Sequence, residues 1–208
     1  MKSLGKDQIL NEPFRGKILH ETLPEGCPHV SSLPEDFYTI PLTVRHSKDL
    51  EHSLAKFVQG EVMDGDNRFL CDQCQKKVNA IKRICLSEIP NHLCFTLKRF
   101  ELDFDIMEIV LLKNYFELPN IISLKPLTHE PEKSEEEEKN SYTENNRYRL
   151  SGAVIYNGSS PDRGVYYSLV KDREDGETWY KIGPQGKEEF EFKDFPEEAF
   201  GGEEDRYL

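Results

Sequence analysis

The sequence predicts an α+β protein in which strands dominate, and three observations predict it. One segment, 46–60, carries its apolar residues at helical spacing. From Val62 onward the apolar residues fall instead into short runs broken by Pro, Gly, Asn and Asp. The 208 residues are 37% hydrophobic and 11% aromatic, enough to bury a core.

Taken in order, the chain begins with a polar leader. In "HSKDLEHSLAKFVQG", Ser47 is the candidate N-cap, Leu50, Leu54, Phe57 and Val58 form one stripe, and Gly60 ends the helix. "DGDN" (64–67) reads as a turn, because the later ligands and the terminal glutamate of a calcium loop are missing. The runs "RFLC", "VNAIKRICLSEI", "HLCFTLKRF", "IVLLK", "YRLSGAVIY", "VYYSLVK" and "TWYKI" then read as strands. The run "HEPEKSEEEEKNSYTENN" (129–146), charged and poor in apolar residues, reads as a disordered insertion between strands.

Charge narrows the partners. The formal net charge is −12. Residues 130–145 hold seven acidic residues against two lysines, and 183–205 hold nine against two, so the remainder is neutral. No basic patch exists on which to build nucleic-acid binding, and a basic protein partner is easier to accommodate than DNA or an anionic membrane. No stretch approaches the roughly 20 apolar residues of a membrane span. The N-terminus has no signal-peptide pattern, and the five cysteines are an odd number. A soluble protein of the cytosol or nucleus is expected.

"CDQC" (71–74) has the knuckle spacing with which two thiolates grip one tetrahedral zinc. Upstream, Cys27 in "LPEGCPHV" offers a third thiol, but Pro24 stands where a second CxxC would need its partner, and neither His29 nor His20 has the usual spacing of a fourth ligand. Cys27, Cys71 and Cys74 therefore read as an incomplete site, with zinc absent or weakly held. Cys85 and Cys94 read as buried packing residues within strands.

The string "FVQGEVMDGDNRFLCDQCQKKVNAIKRICLSEIPNHLCFTLKRFELDFD", followed by "KNYFELP", resembles the finger and palm of the ubiquitin-specific proteases, with their large fat-facets-like members in particular. "YRLSGAVIYNG", "RGVYYSLVKDR", "WYKI" and "FGGE" are similar to that family's later blocks, in the same order. The resemblance runs from about Phe14 to Glu203. It implies a papain-like cysteine-protease fold of which the chain holds a part (1–208): finger and palm at 14–100, the insertion at 129–146, and a C-terminal palm portion at 147–203, with the helical thumb largely missing.

That family needs a cysteine nucleophile, a histidine to activate it and an Asp or Asn to orient the histidine. The nucleophile block, GLxNxGxTCYxN, has no counterpart in these residues. The histidine of "GHYYS" falls at Val165 in "GVYYS", and the orienting residues of "WYKFND" fall at Gly183 and Pro184 in "WYKIGP". A hydrocarbon neither accepts a proton nor holds a thiolate at neutral pH. Read without the resemblance, 165–170 is a buried strand, with Tyr166, Tyr167 and Trp179 as core aromatics. With it, Gly164, Tyr166, Tyr167 and Trp179 flank the channel for ubiquitin's extended tail. The implied partner is ubiquitin or a ubiquitinated protein, with no nucleic acid and no membrane. Three roles stay open: a noncatalytic ubiquitin-binding module, a deubiquitinase completed by another chain, and a degenerate or zinc-stabilised product without a ubiquitin role.

Overall fold

A computed structural model describes residues 11–124 and 146–202. The expected insertion at 129–146 lies, but for Asn146, outside the described residues. No helix among the described residues is long and apolar enough to cross a membrane. The chain divides into two compact units, one made of 1–40, 54–96 and 123–148, the other of 41–53, 97–122 and 149–208.

The first unit is built on a region with little apolar periodicity. The polar leader folds into the antiparallel strands β1 (Gly16–Pro24) and β2 (Ser31–Phe37), and β1 pairs on its other side with β7 (Ala80–Glu88), which in turn pairs with β4 (Glu61–Met63). β1 reads as polar because its alternation is broken: Ile18 and Glu21 are both buried, with a register irregularity between Lys17 and Ile18. The buried Glu21 carboxylate accepts from Arg83 Nε at 2.9 Å and from the Cys85 thiol at 3.3 Å, partners that a carboxylate out of water requires. Cys85 is buried as expected. Cys94 is exposed: it sits just ahead of β8 (Phe95–Lys98) and offers its carbonyl to the backbone N–H of Ile40, the first residue of β3 (Ile40–Thr43). β5 (Phe69–Cys71) and β6 (Lys76–Val78) form a separate short hairpin.

The helix of the leucine stripe, α1 (Leu50–Val58), buries Leu50 and Leu54. Its cap is Asp49 rather than Ser47: Asp49 Oδ1 accepts the His52 N–H at 2.6 Å, while the Ser47 backbone N–H is engaged by the Val44 carbonyl. Asp49 directly precedes the first helical residue, where a carboxylate accepts the N–H of the first turn, whereas Ser47 lies two residues further back.

The second unit carries an antiparallel meander of β13 (Gly152–Ser160), β14 (Arg163–Lys171), β15 (Trp179–Gly183) and β16 (Gly186–Phe190), in that spatial order. A five-residue helix, α2 (Phe195–Ala199), covers one face. Leu169, Trp179, Phe195 and Phe200 form the core there, with Ala153, Ile155, Tyr167 and Phe190 packed against it. Trp179 stacks on Phe192 and meets Phe195 edge-on. A second hairpin joins β9 (Phe100–Asp103) to β10 (Glu108–Leu111). Arg99, just before β9, spends its guanidinium on the carbonyls of Leu112, Asn114 and Phe200, so this half-buried cation supports backbone.

The burial expected for 165–170 is corrected. Leu169 is buried, but Val165 is 51% and Tyr166 58% exposed. Successive side chains alternate across a strand. Val165, Tyr167 and Leu169 point to the α2 face, where cover reaches Leu169 and part of Tyr167 and stops short of Val165. Tyr166 points to the opposite face. Trp179, 4% exposed, is the core aromatic it was expected to be.

Candidate functional site

The metal-ligand candidates all lie in the first unit, at the tips of two hairpins. Cys27 and His29 occupy the β1–β2 connection, whose chain reversal passes through Gly26 at φ 67°. Cys71 and Cys74 bracket the β5–β6 turn, closed by the Gln75 N–H on the Cys71 carbonyl at 2.8 Å, with Gln75 itself at φ 55°. The Glu25 N–H bonds the Asn79 carbonyl at 2.8 Å and ties the connection to the segment after the hairpin.

Four ligand atoms converge. Cys27 Sγ lies 3.5 Å from Cys71 Sγ and 3.3 Å from Cys74 Sγ. His29 Nδ1 is 3.3 Å from Cys27 Sγ, 3.2 Å from Cys74 Sγ and 3.7 Å from Cys71 Sγ. All four atoms fall within 4.8 Å of one another. A tetrahedral ion with bonds of about 2.0–2.3 Å holds its ligand atoms roughly 3.3–3.8 Å apart, so this set fits one. The set read from the sequence as three thiols thus gains a fourth donor, His29. Spacing pointed three residues upstream of Cys27, to Pro24, whereas the donor sits two residues downstream, in Cys-Pro-His. His20 is elsewhere: its Nε2 pairs with Glu35 Oε2 at 2.8 Å.

The thiols are pulled in opposite directions. The Cys74 backbone N–H donates to Cys71 Sγ at 3.4 Å, and chiefly this bond brings the Cys71 thiol down to about 6, against the pull of burial. Hydrogen bonding with Cys27 pushes Cys74 up to about 11, because neighbouring sulfurs resist a second negative charge. A cation among them favours the thiolate in every case.

The positions singled out at 164–184 lie in the second unit. Gly164 is the second residue of β14, and both it and Gly158 make room for the ring of Tyr156, whose hydroxyl donates to the Ser160 carbonyl at 2.5 Å. Val165 stands opposite Asn157 in the ladder. Gly183 and Gly186 pair across the β15–β16 turn, with Pro184 and Gln185 as its two-residue tip; Pro184 presets φ for that turn. The Tyr167 hydroxyl donates to Glu198, which also receives Lys181 Nζ at 3.0 Å. Burial first, and then Glu198, push the Tyr167 hydroxyl far above its ordinary value, so it remains a donor. The structure therefore gathers Gly164, Val165, Tyr166 and Tyr167 on one strand, Pro184 at a nearby turn and Trp179 in the core. The three cysteines are in the other unit.

Comparison with known proteins supplies the context. The family model described as "Ubiquitin carboxyl-terminal hydrolase" matches residues 3–191. The Drosophila melanogaster protein described as "Probable ubiquitin carboxyl-terminal hydrolase FAF" is 32% identical over 98% of this chain and 8% of its own length. Human "Ubiquitin carboxyl-terminal hydrolase 24" is 31% identical over 98% of the chain and 8% of its own length. Human "Ubiquitin carboxyl-terminal hydrolase 9Y" is 29% identical over 98% of the chain and 9% of its own length. The chain thus spans under a tenth of the length of these relatives. Among solved structures, "Structure of the SAGA Ubp8/Sgf11/Sus1/Sgf73 DUB module bound to ubiquitin aldehyde" superposes with a TM-score of 0.77 at 22% identity, covering 96% of this chain and 42% of that one. The two share a fold.

Proposed function

The chain belongs to the ubiquitin carboxyl-terminal hydrolase family, and from that membership we propose that these residues engage ubiquitin without hydrolysing it. Val165 carries the reading. It stands where the family's "GHYYS" block has its histidine, and its isopropyl group, half exposed at the open end of the α2 face, has no proton to move. The turn beyond β15 offers Gly183 and Pro184, neither of which has a side chain able to orient an imidazole. Three of the five cysteines belong to the ligand cluster and Cys85 is buried against Glu21, which leaves the exposed Cys94, whose surroundings in "HLCFTL" do not match the family's nucleophile block. The ubiquitin-aldehyde complex of the structural relative supports ubiquitin as the partner.

We further propose zinc as the ion for Cys27, His29, Cys71 and Cys74. Three thiols and one imidazole, with no fifth donor in the cluster among the described residues, are the donor set of a closed structural site. A bound ion would hold the two hairpin tips together.

Two measurements test these readings. Titrating the chain into ¹⁵N-labelled ubiquitin should move a contiguous set of ubiquitin resonances, and no shift at millimolar chain overturns the binding proposal. A fluorogenic ubiquitin amide should show no turnover above buffer, for the chain and for Val165→His alike, since a base alone has no thiol to activate. Turnover that survives further purification overturns the noncatalytic reading.

A further inference from the structure

The thiols at the hairpin tips approach one another across the two hairpins. Cys27 Sγ, on the β1–β2 connection, lies 3.3 Å from Cys74 Sγ and 3.5 Å from Cys71 Sγ, both on the β5–β6 turn. Access separates the three. Cys71 is 2% exposed and its sulfur already accepts the Cys74 N–H, whereas Cys27 and Cys74 are half-buried. A small oxidant entering the cluster therefore meets Cys27 and Cys74 first.

The backbone holds the two tips together on its own account. The Glu25 N–H bonds the Asn79 carbonyl and the Gln75 N–H bonds the Cys71 carbonyl, both at 2.8 Å, and neither bond involves a ligand side chain. Cys27 and Cys74 thus face each other whether or not an ion lies between them. The other two cysteines do not compete. Cys85 is engaged with Glu21 at 3.3 Å, and Cys94 lies ahead of β8, outside the cluster.

We propose that hydrogen peroxide, as a two-electron oxidant, exchanges the bound ion for a Cys27–Cys74 disulfide, so that the hairpin tips stay cross-linked while the metal leaves. The proposal rests on the zinc reading above. One of the two thiolates attacks a peroxide oxygen, the O–O bond breaks, and the sulfur becomes a sulfenic acid as hydroxide departs. The second thiolate attacks that sulfur, the S–S bond forms, and the S–O bond breaks with loss of a second hydroxide. The two sulfurs give up two electrons, the peroxide takes them, and solvent protons convert both hydroxides to water. Closing the pair from 3.3 Å to the roughly 2.05 Å of a disulfide is a short movement. Cys71 and His29 then remain as the cluster's donors, too few for a closed tetrahedral site.

The test uses the whole chain, reduced and loaded with zinc, and treats it with a few equivalents of peroxide. Trypsin combined with a protease that cuts before aspartate separates Cys71 from Cys74 at Asp72, so mass spectrometry of the digest identifies which sulfurs are joined. Zinc should pass to a chromogenic chelator in step with the Cys27–Cys74 cross-link, one ion per cross-link, and dithiothreitol should restore the zinc-binding chain. Hydrogen exchange at amides within 25–29 and 71–79 should be slower in the oxidised, zinc-free chain than in the reduced, chelated chain by roughly tenfold or more. Zinc retained under peroxide, release without the cross-link, a main product joining Cys71 to either partner, or equal exchange in the two metal-free forms overturns the exchange and leaves the zinc reading standing. A reduced chain that takes up no zinc removes the zinc reading, and the exchange with it.

Discussion

Gly164 and Gly158 are glycines because the Tyr156 ring occupies the space a side chain would need: a Cβ at Gly164 would lie 2.4 Å from Tyr156 Cζ, and one at Gly158 2.6 Å from Cε1. The ring cannot easily give way, since it is wedged against Tyr166 and Phe100 and its hydroxyl is bonded to Ser160. Gly164→Ala should therefore destabilise the chain by about 1–3 kcal/mol, read as a lower denaturant midpoint at unchanged slope. Val165→Ala, next door on an exposed position, should cost about 0.5 kcal/mol or less. Glu198 makes a second prediction at this scale. Burial works to raise its carboxyl, but the Tyr167 hydroxyl and the Lys181 ammonium outweigh it and hold the carboxyl below its usual range. Its native value is depressed relative to the unfolded chain, so its stabilisation is present at neutral pH and is lost as pH falls below about 4. Thermal melts from pH 7 to pH 3 should show Glu198→Gln losing less stability on acidification than the parent; equal losses would show that other carboxylates dominate.

The β5–β6 hairpin has three paired positions, Phe69–Val78, Leu70–Lys77 and Cys71–Lys76, too few for a two-stranded ribbon to persist alone in water. Of its six strand residues, Cys71 is buried, and that burial is against the other ligands. If a metal supplies the missing stability, a strong chelator should speed hydrogen exchange across 69–78 and around 27–29 while the β1–β7 ladder stays protected. His29→Cys should retain the ion, and His29→Ala should release it at chelator concentrations that the parent resists. Identical exchange with and without chelator would remove the metal from the account. The helix α2 is the contrasting case. Five residues are too short to be helical on their own, and Phe195 and the neighbouring Phe200, both buried, hold it on the sheet.

A formal net charge of −12, with the excess confined to 130–145 and 183–205, makes self-repulsion a property of the molecule rather than of any one pair. The ion pairs among the described residues are mostly at exposed positions, where each contributes little. Raising ionic strength from about 10 to 150 mM shortens the screening length from roughly 30 to 8 Å. The repulsion should weaken more than the short-range pairs, so the melting temperature should rise across that interval. A fall would mean that pairs such as Arg83–Glu21, whose carboxylate is buried, carry more of the stability than the surplus charge removes.

What the sequence determined by itself was local. The runs read as strands fall on β5, β7, β8, β10 and β12 (Arg147–Arg149, which follows β11, Ile121–Ser123) through β15, but take in only Phe100 of β9; the leucine stripe is α1, because an alternating or helical period is written within a few consecutive residues. The block order that resembles the ubiquitin-specific proteases was equally legible, as was the thiol pair of "CDQC". The tertiary structure decided whatever depends on partners distant in sequence. β1 is a strand because β7 lies beside it, with Leu19 opposite Cys85, and nothing in "GKILHETLP" announces that pairing. His29 joins the thiols because the β1–β2 connection lies against the β5–β6 turn, a meeting that ligand spacing along the chain does not encode. Val165 and Tyr166 stand exposed on a strand whose composition reads as core, because burial is set by what covers a face: α2 reaches only as far as Leu169 and Tyr167 on the side of Val165, and Tyr166 lies on the other side. A period specifies which side chains share a face; only the folded chain specifies what lies against it.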